Sequence, residues 1–342
     1  IMLRLLLVVV VVFIVHSTNP VHAQMNPLKI VQIGDSFAAG TGNRNDLGLM
    51  VEELPVGCQR SPTNWGARYA DSLRDRYDVT YINRACSNAQ TDNIDTTPQL
   101  FDYIRMGDLN RRRCPNTRIV QHPEVFYEQV SDDFCGRFLE LQTNGIDPTV
   151  DLVLLMIGGN DIDFRSASGN CFFPVTRQAS PCVGSVINAE EIMGTYLQGT
   201  FARALRSIRD KMTAEDEDVP SGRVVFVDYP YIPLEDDTFI LEDDENVIAP
   251  SIEFRRVQYE ISLLQEAAAQ EVNEETGFEF VIFHKGLKEL FAGHEMDPTA
   301  RVNRDAWMLD AIGPRLRTYY HPNRKGQLEI AEFMAAEGAF GL

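Results

Sequence analysis

Basic residues are scarce in this chain. Thirty-one lysines and arginines stand against fifty aspartates and glutamates, a formal net charge of −19 over 342 residues. Such a surface repels phosphate backbones and anionic membranes, which argues against nucleic acid as a partner. Metal-ligand spacing is missing as well. There is no C-x-x-C pair and no close pair of histidines, so a zinc site is not expected. No N-glycosylation acceptor, internal repeat or low-complexity linker occurs. Beyond residue 15, no apolar run approaches the roughly 20 residues of a membrane-spanning helix. The apolar fraction of 44% nevertheless supports a substantial core and excludes a disordered chain.

What is present begins with Arg4 and eleven apolar residues, 5–15, followed by a polar stretch ending Val21-His22-Ala23. The run is too short to span a bilayer and reads as a secretory signal, 1–23, cleaved after Ala23. Residues 24–342 are then one mature domain, secreted and without a stable membrane anchor. Cleavage removes one basic and no acidic residue, so the mature chain is more acidic still. In an oxidising compartment the six cysteines suggest three disulfides. Fifteen pairings are open to six cysteines. Sequence order favours Cys58–Cys86, Cys114–Cys135 and Cys171–Cys182, each closing a short or moderate loop.

Five apolar, β-branched runs recur at 28–33, 79–83, 150–157, 223–228 and 278–283. Helical patterns lie between several of them. One covers 63–77, with Trp65, Tyr69, Leu73 and Tyr77 on one face. Others cover 188–212, 251–276 with Gly277 as C-cap, and 326–337. Strands alternating with helices predict an α/β fold: a five-stranded parallel sheet between two helical layers. Segments 93–145, with the basic run Arg111-Arg112-Arg113, and 164–187 interrupt the alternation as long loops of the kind that shape binding sites. Acidic clusters at 215–218, 235–237 and 242–245 read as solvated loops rather than a calcium site.

Three short segments carry chemistry. Ser36, in Gly34-Asp35-Ser36, ends the first apolar run and puts a hydroxyl at the carboxyl end of a strand, where open α/β sheets bind ligands. Gly158-Gly159-Asn160-Asp161 follows the third run and delivers an amide to the same edge. His321-Pro322-Asn323 lies in a loop before the last helix; of the histidines outside the leader (His122, His284, His294, His321), it alone has this setting. A serine hydroxyl needs a base within reach, and an acyl-transfer intermediate needs donors aimed at its oxyanion. Ser36, His321, and the Ser36 N–H with the Asn160 side chain supply those parts. Asp35 and Asp161 read as capping residues.

Together these segments resemble the SGNH hydrolases, the GDSL-type esterases and lipases, over nearly all of 28–340. The resemblance implies a flavodoxin-like α/β/α sandwich, Ser36 as nucleophile, His321 as base and Asn160 as oxyanion donor. It also makes Asn88, in Ala85-Cys86-Ser87-Asn88-Ala89, stand where the family usually has the glycine whose N–H joins the oxyanion hole. Asn tolerates left-handed backbone, so that donor survives. Cys58-Gln59-Arg60-Ser61, Asp161-Ile162-Asp163-Phe164 and Phe291-Ala292-Gly293-His294-Glu295 followed by Trp307 are similar to the secreted actinobacterial-type esterases and phospholipases. That likeness implies three disulfides paired in sequence order, and it puts 291–295 near the substrate cleft.

One departure stands out. The family often has Asp three residues before the histidine, and here that residue is Thr318. A Ser–His dyad with the Thr318 main-chain carbonyl orienting the ring is expected, with Asp310 as fallback. The function expected is a secreted, cofactor-free, monomeric serine ester hydrolase acting on lipid, short-chain or acetylated glycan esters. The alternatives are a polysaccharide deacetylase or a phospholipase with the same machinery, or a non-catalytic binding protein on a degenerate scaffold. Phe164, Phe172, Phe173, Tyr319 and Tyr320 are candidates for an acyl trough.

Overall fold

A computed structural model describes residues 25–43, 51–105, 122–131, 133–309 and 318–336. Residues 1–23, expected to be a secretory signal, and Arg111–Arg113, Cys114 and Asp310 lie outside the described residues. The apolar runs form strands β1 (Asn26–Gly34), β2 (Tyr77–Asn83), β3 (Leu152–Met156), β4 (Arg223–Val227) and β5 (Val281–His284). They make one sheet in the order β5-β4-β3-β1-β2, and every neighbouring pair is parallel. Ile30, Val31 and Ile33 of β1 and all of β3 are buried, as expected of strands covered on both faces.

From β1 the chain crosses outward to β2. From β3 it steps the other way, through β4 to β5. Right-handed crossovers therefore carry the two sets of helices to opposite faces. Trp65–Ser72 packs against Arg324–Ala336, and Gln198–Met212 packs against Pro250–Thr276. The reversal leaves a crevice at the carboxyl ends of β1 and β3, where doubly wound sheets hold their ligands.

Several elements depart from the sequence reading. The helix expected over 63–77 stops at Ser72, and Tyr77 opens β2 opposite Asn26. Trp65, Tyr69 and Leu73 still face the core. The fifth strand begins at Val281 rather than 278. Segment 164–187 is not a loop. It contains helices Phe164–Phe172 and Ala179–Ile192, and the second runs through a π-helical turn, Met193–Leu197, into Gln198–Met212. Segment 93–145 holds a three-stranded antiparallel sheet: Gln99–Arg105, Phe134–Leu139 and Val125–Gln129. Its Val125 and Leu139 bury against Cys58 and Cys86. Gly277, at φ 71°, caps Pro250–Thr276 as expected.

Cys58–Cys86 and Cys171–Cys182 are bonded in sequence order. Cys135 is also disulfide-bonded, but Cys114, its expected partner, lies outside the described residues. Acidic segment 235–237 is a turn closed on itself, and 242–245 leads into the tip of a hairpin between Leu241–Glu242 and Val247–Ile248. Asp236 accepts from Thr238 N–H, and Asp243 from Asn246 N–H and Ser180. Among the described residues no His/Cys/Asp/Glu group is arranged to hold a metal, and no helix is long and apolar enough to cross a membrane.

Candidate active site

Gly34 ends β1 at φ 131°, and a Cβ there would lie 2.0 Å from the Met156 carbonyl oxygen. Only glycine fits so close to β3 at that φ. Buried Gln142 clamps Gly34 on both sides: its Oε1 accepts from Gly34 N–H at 2.6 Å and its Nε2 donates to Gly34 O at 2.9 Å. Asp35 follows, with its N–H on Met156 O at 3.0 Å and its Oδ1 accepting from Phe37 N–H at 2.9 Å. This cap starts the one-turn helix Ser36–Ala39, so Ser36 N–H is a first-turn amide without a helical acceptor.

Ser36 Oγ lies 2.7 Å from His321 Nε2. On the other side of the ring, Nδ1 is 2.8 Å from the Tyr319 carbonyl. A carbonyl only accepts, so Nδ1 carries the proton and Nε2 is free to accept from the serine. The expected Thr318 carbonyl is joined on the ring by a second one, that of Tyr319, which is the close partner. The cause is Tyr320, at φ 65°, which folds the chain back and sets His321 over the carbonyl two residues earlier. Burial pushes the His321 pKa down to about 4, against the two carbonyls that raise it. The imidazole is therefore neutral at ordinary pH.

The third strand supplies the other half. Gly158 has φ 127°, and Gln265 Nε2 holds the preceding Ile157 carbonyl at 2.9 Å. Asn160 Nδ2 donates to Ala89 O at 2.9 Å, which leaves its second hydrogen for the cleft. That contact ties Asn160 to the Asn88 turn. Asn88 takes φ 65°, and the amides beside it, Ser87 N–H and Ala89 N–H, are engaged by Cys58 O and Cys86 O. Asp161 receives Thr91 N–H at 3.0 and 3.1 Å. Burial raises Asp161 to about 6 and Asp35 to about 7. Asp35 is the cap its turn position suggests, whereas Asp161 caps no helix of its own and instead holds Thr91, 70 residues away.

Ser36, Asn88, Asn160, Tyr319 and His321 all line one cleft of about 1050 Å³. Phe164, Phe173, Ile232, Ile261 and Tyr320 are among its apolar lining residues, and Gln90, Asn93, Asp102 and Arg137 among its polar ones. Phe172 is not in the trough. It is core, 1% exposed, with its ring edge-on to Phe254 at 4.9 Å. His294 and Glu295 are also absent from the lining. His294 stacks on Trp307 at 3.9 Å, and buried Glu295 pairs with Arg255 at 2.9 Å. The sequence reading missed Gln142, Gln265 and Tyr229, whose hydroxyl donates to Asp35 Oδ2 at 2.5 Å. Their partners are distant in sequence, and no spacing announces them.

The model of the GDSL-like lipase/acylhydrolase family matches residues 33–328. The chain belongs to that family. Its fold is shared with phospholipase A1 from Streptomyces albidoflavus NA297, at 19% identity and a TM-score of 0.55, over 90% of this chain and 99% of that one. It is shared equally with an extracellular lipase from Streptomyces rimosus, at 18% identity, a TM-score of 0.55 and the same coverage. At such identities the likeness is one of fold. No curated protein sequence gives a significant match. As a GDSL-family hydrolase, the chain is expected to take esters as substrates.

Proposed function

We propose that this protein is a secreted serine ester hydrolase that works through an acyl-Ser36 intermediate. The observation that carries this reading is the 2.7 Å contact between Ser36 Oγ and the unprotonated Nε2 of His321, inside a cleft. Ser36 Oγ attacks the acyl carbon as its proton passes to Nε2. The tetrahedral oxyanion takes hydrogen bonds from Ser36 N–H, Asn88 N–H and the free Asn160 Nδ2 hydrogen. Nε2 returns the proton to the departing alcohol. Water repeats the sequence, giving the acid and free Ser36. The Tyr319 carbonyl, seconded by that of Thr318, holds the imidazolium in place of a carboxylate. It fixes the tautomer but brings no formal charge. The disulfides support an extracellular setting.

The apolar residues of the lining favour an ester with an apolar acyl chain, as in a lipid. A fluorophosphonate probe should label the folded protein at Ser36 and fail on Ser36→Ala. Folded protein that resists the probe would mark a non-catalytic scaffold. A nitrophenyl ester series should then show turnover rising beyond acetate. A maximum at acetate would favour deacetylation of a glycan instead.

A further inference from the structure

Tyr229 is a buried polar residue to which the steps above give no task. It lies two residues beyond the end of β4, is 7% exposed, and borders the cleft. Its main chain is pinned at both ends. Tyr229 N–H donates to Asp228 Oδ1 at 2.6 Å, and Tyr229 O accepts from Lys288 Nζ at 3.2 Å. Lys288, itself buried, is bonded to both Asp228 oxygens, at 2.7 and 2.6 Å. A side chain mounted on so rigid a base points in one direction.

Its hydroxyl meets two turns. Gly159 N–H donates to it at 3.2 Å, and it donates to Asp35 Oδ2 at 2.5 Å. With a single hydrogen, the hydroxyl fixes the sense of the chain: Gly159 N–H to Tyr229 O–H to Asp35 carboxylate. Asp35 precedes Ser36, and Gly159 precedes Asn160. The ring also stands edge-on to Phe37 at 5.2 Å, and Phe37 lies 5.1 Å from the His321 ring. Space-filling alone would be met by phenylalanine. The hydroxyl instead ties the carboxyl ends of β1, β3 and β4 together at the point where Ser36 and Asn160 must act on one acyl group.

Accepting Ser36 as the nucleophile, we propose that Tyr229 is a positioning residue for ester hydrolysis: its hydroxyl holds the Gly159–Asn160 turn in register with the Asp35–Ser36 turn. It touches neither the reacting carbonyl nor the leaving group. Its contribution is geometric, and misplacement of reacting groups by about 1 Å can cost on the order of 100-fold in rate.

The test compares Tyr229→Phe, Asp35→Ser and the double variant in full-length protein, with nitrophenyl acetate as substrate and thermal unfolding measured alongside. Asp35→Ser keeps a capping oxygen for Phe37 N–H and removes the Oδ2 arm that reaches Tyr229. In Tyr229→Phe, kcat should fall about 10- to 100-fold with KM within about twofold, in a protein that unfolds cooperatively. Fluorophosphonate labelling of Ser36 should slow by a similar factor. Asp35→Ser should lose kcat to a similar degree, and the double variant should be no more than about threefold worse than the poorer single, because both remove one bond. A Tyr229→Phe enzyme with kcat within twofold of wild type, a loss confined to KM, a loss matching its unfolded fraction, or additive losses in the double variant would each overturn the proposal. Ser36→Ala runs in parallel. If it retains turnover, the nucleophile reading falls and this proposal with it. If it is inactive while Tyr229→Phe is unimpaired, the positioning role alone is wrong.

Discussion

The two halves of the site are built in opposite ways. Ser36 and Asn160 stand at the ends of adjacent parallel strands, on turns that close through glycines at φ 131° and 127° and are held by buried Gln142 and Gln265. His321 stands in a loop outside the sheet, oriented by a main-chain carbonyl and packed against Phe37. The sheet-edge half depends on what its side chains are. The loop half depends on one imidazole and on the path of the backbone, and it tolerates change in the residues that carry that backbone.

The most severe way to break this comparison is at the one side chain the loop half cannot lose. His321→Ala removes the only proton acceptor within reach of Ser36 Oγ among the described residues. Its kcat should fall by at least ~10⁴-fold, with no further loss when Ser36→Ala is added, since the pair acts as a unit. Asn160→Ala comes next. It deletes the proposed oxyanion donor and unties the Asn88 turn at Ala89 O. A fall of about 10²- to 10³-fold in kcat, with KM little changed, is expected from steady-state kinetics.

The same asymmetry governs how far the site could be read in advance. Ser36, Asn160 and His321 were legible because acyl transfer needs rare residue types beside glycine or proline, at the ends of apolar runs. The parallel sheet was legible because its strands are continuous β-branched runs. The three-stranded insert was not, because charges such as Asp102, Glu128 and Arg137 interrupt its strands and its order is fixed by long-range pairing. Helix Phe164–Phe172 carries Ser-Ala-Ser-Gly-Asn, weak in helix propensity; burial of Phe172 and the Cys171–Cys182 bond outweigh that. Tyr229 lies 194 residues from Asp35, and a tyrosine after a strand looks the same whether its hydroxyl is used or not. The Tyr319 carbonyl, which joins that of Thr318 on His321, was not legible because the left-handed turn at Tyr320 has no signature in sequence.

Titration separates the halves further. On the loop side, the His321 pKa near 4 predicts that kcat/KM holds down to about pH 5 and then drops toward tenfold per unit as the base is protonated. A break in the pH–rate profile near 6.5 would mean that the ring is more hydrated than this. On the sheet side the readout is stability. Asp35, raised to about 7, binds a proton in the folded state that the unfolded chain has released, so its contribution to stability falls as pH rises from about 4 to 7. Asp161, raised to about 6, acts in the same sense, and His321, lowered to about 4, in the opposite sense between about 4 and 6.5. The net profile mixes all three, and the difference between wild type and Asp35→Asn isolates one. Melting temperatures of the two should diverge between about pH 4 and 7, with wild type losing ground as pH rises. Parallel curves would mean that Asp35 is not buried as a near-neutral acid.

The smallest effect falls where related enzymes often keep a carboxylate. Thr318→Ala preserves the main-chain carbonyl and leaves the closer Tyr319 carbonyl on Nδ1 untouched. The kcat should stay within about threefold of wild type, even though Thr318 is 5% exposed and its loss costs about 1 kcal/mol of stability or more. Activity and melting temperature measured together separate the two effects. Thr318→Asp sharpens the comparison. If the loop works only through its backbone path, a carboxylate placed there gains nothing, because Nδ1–H already points to Tyr319 O. A rise in kcat of tenfold or more with Asp at 318 would show that the imidazolium lacks a charge partner and that the loop was limited by a side chain after all.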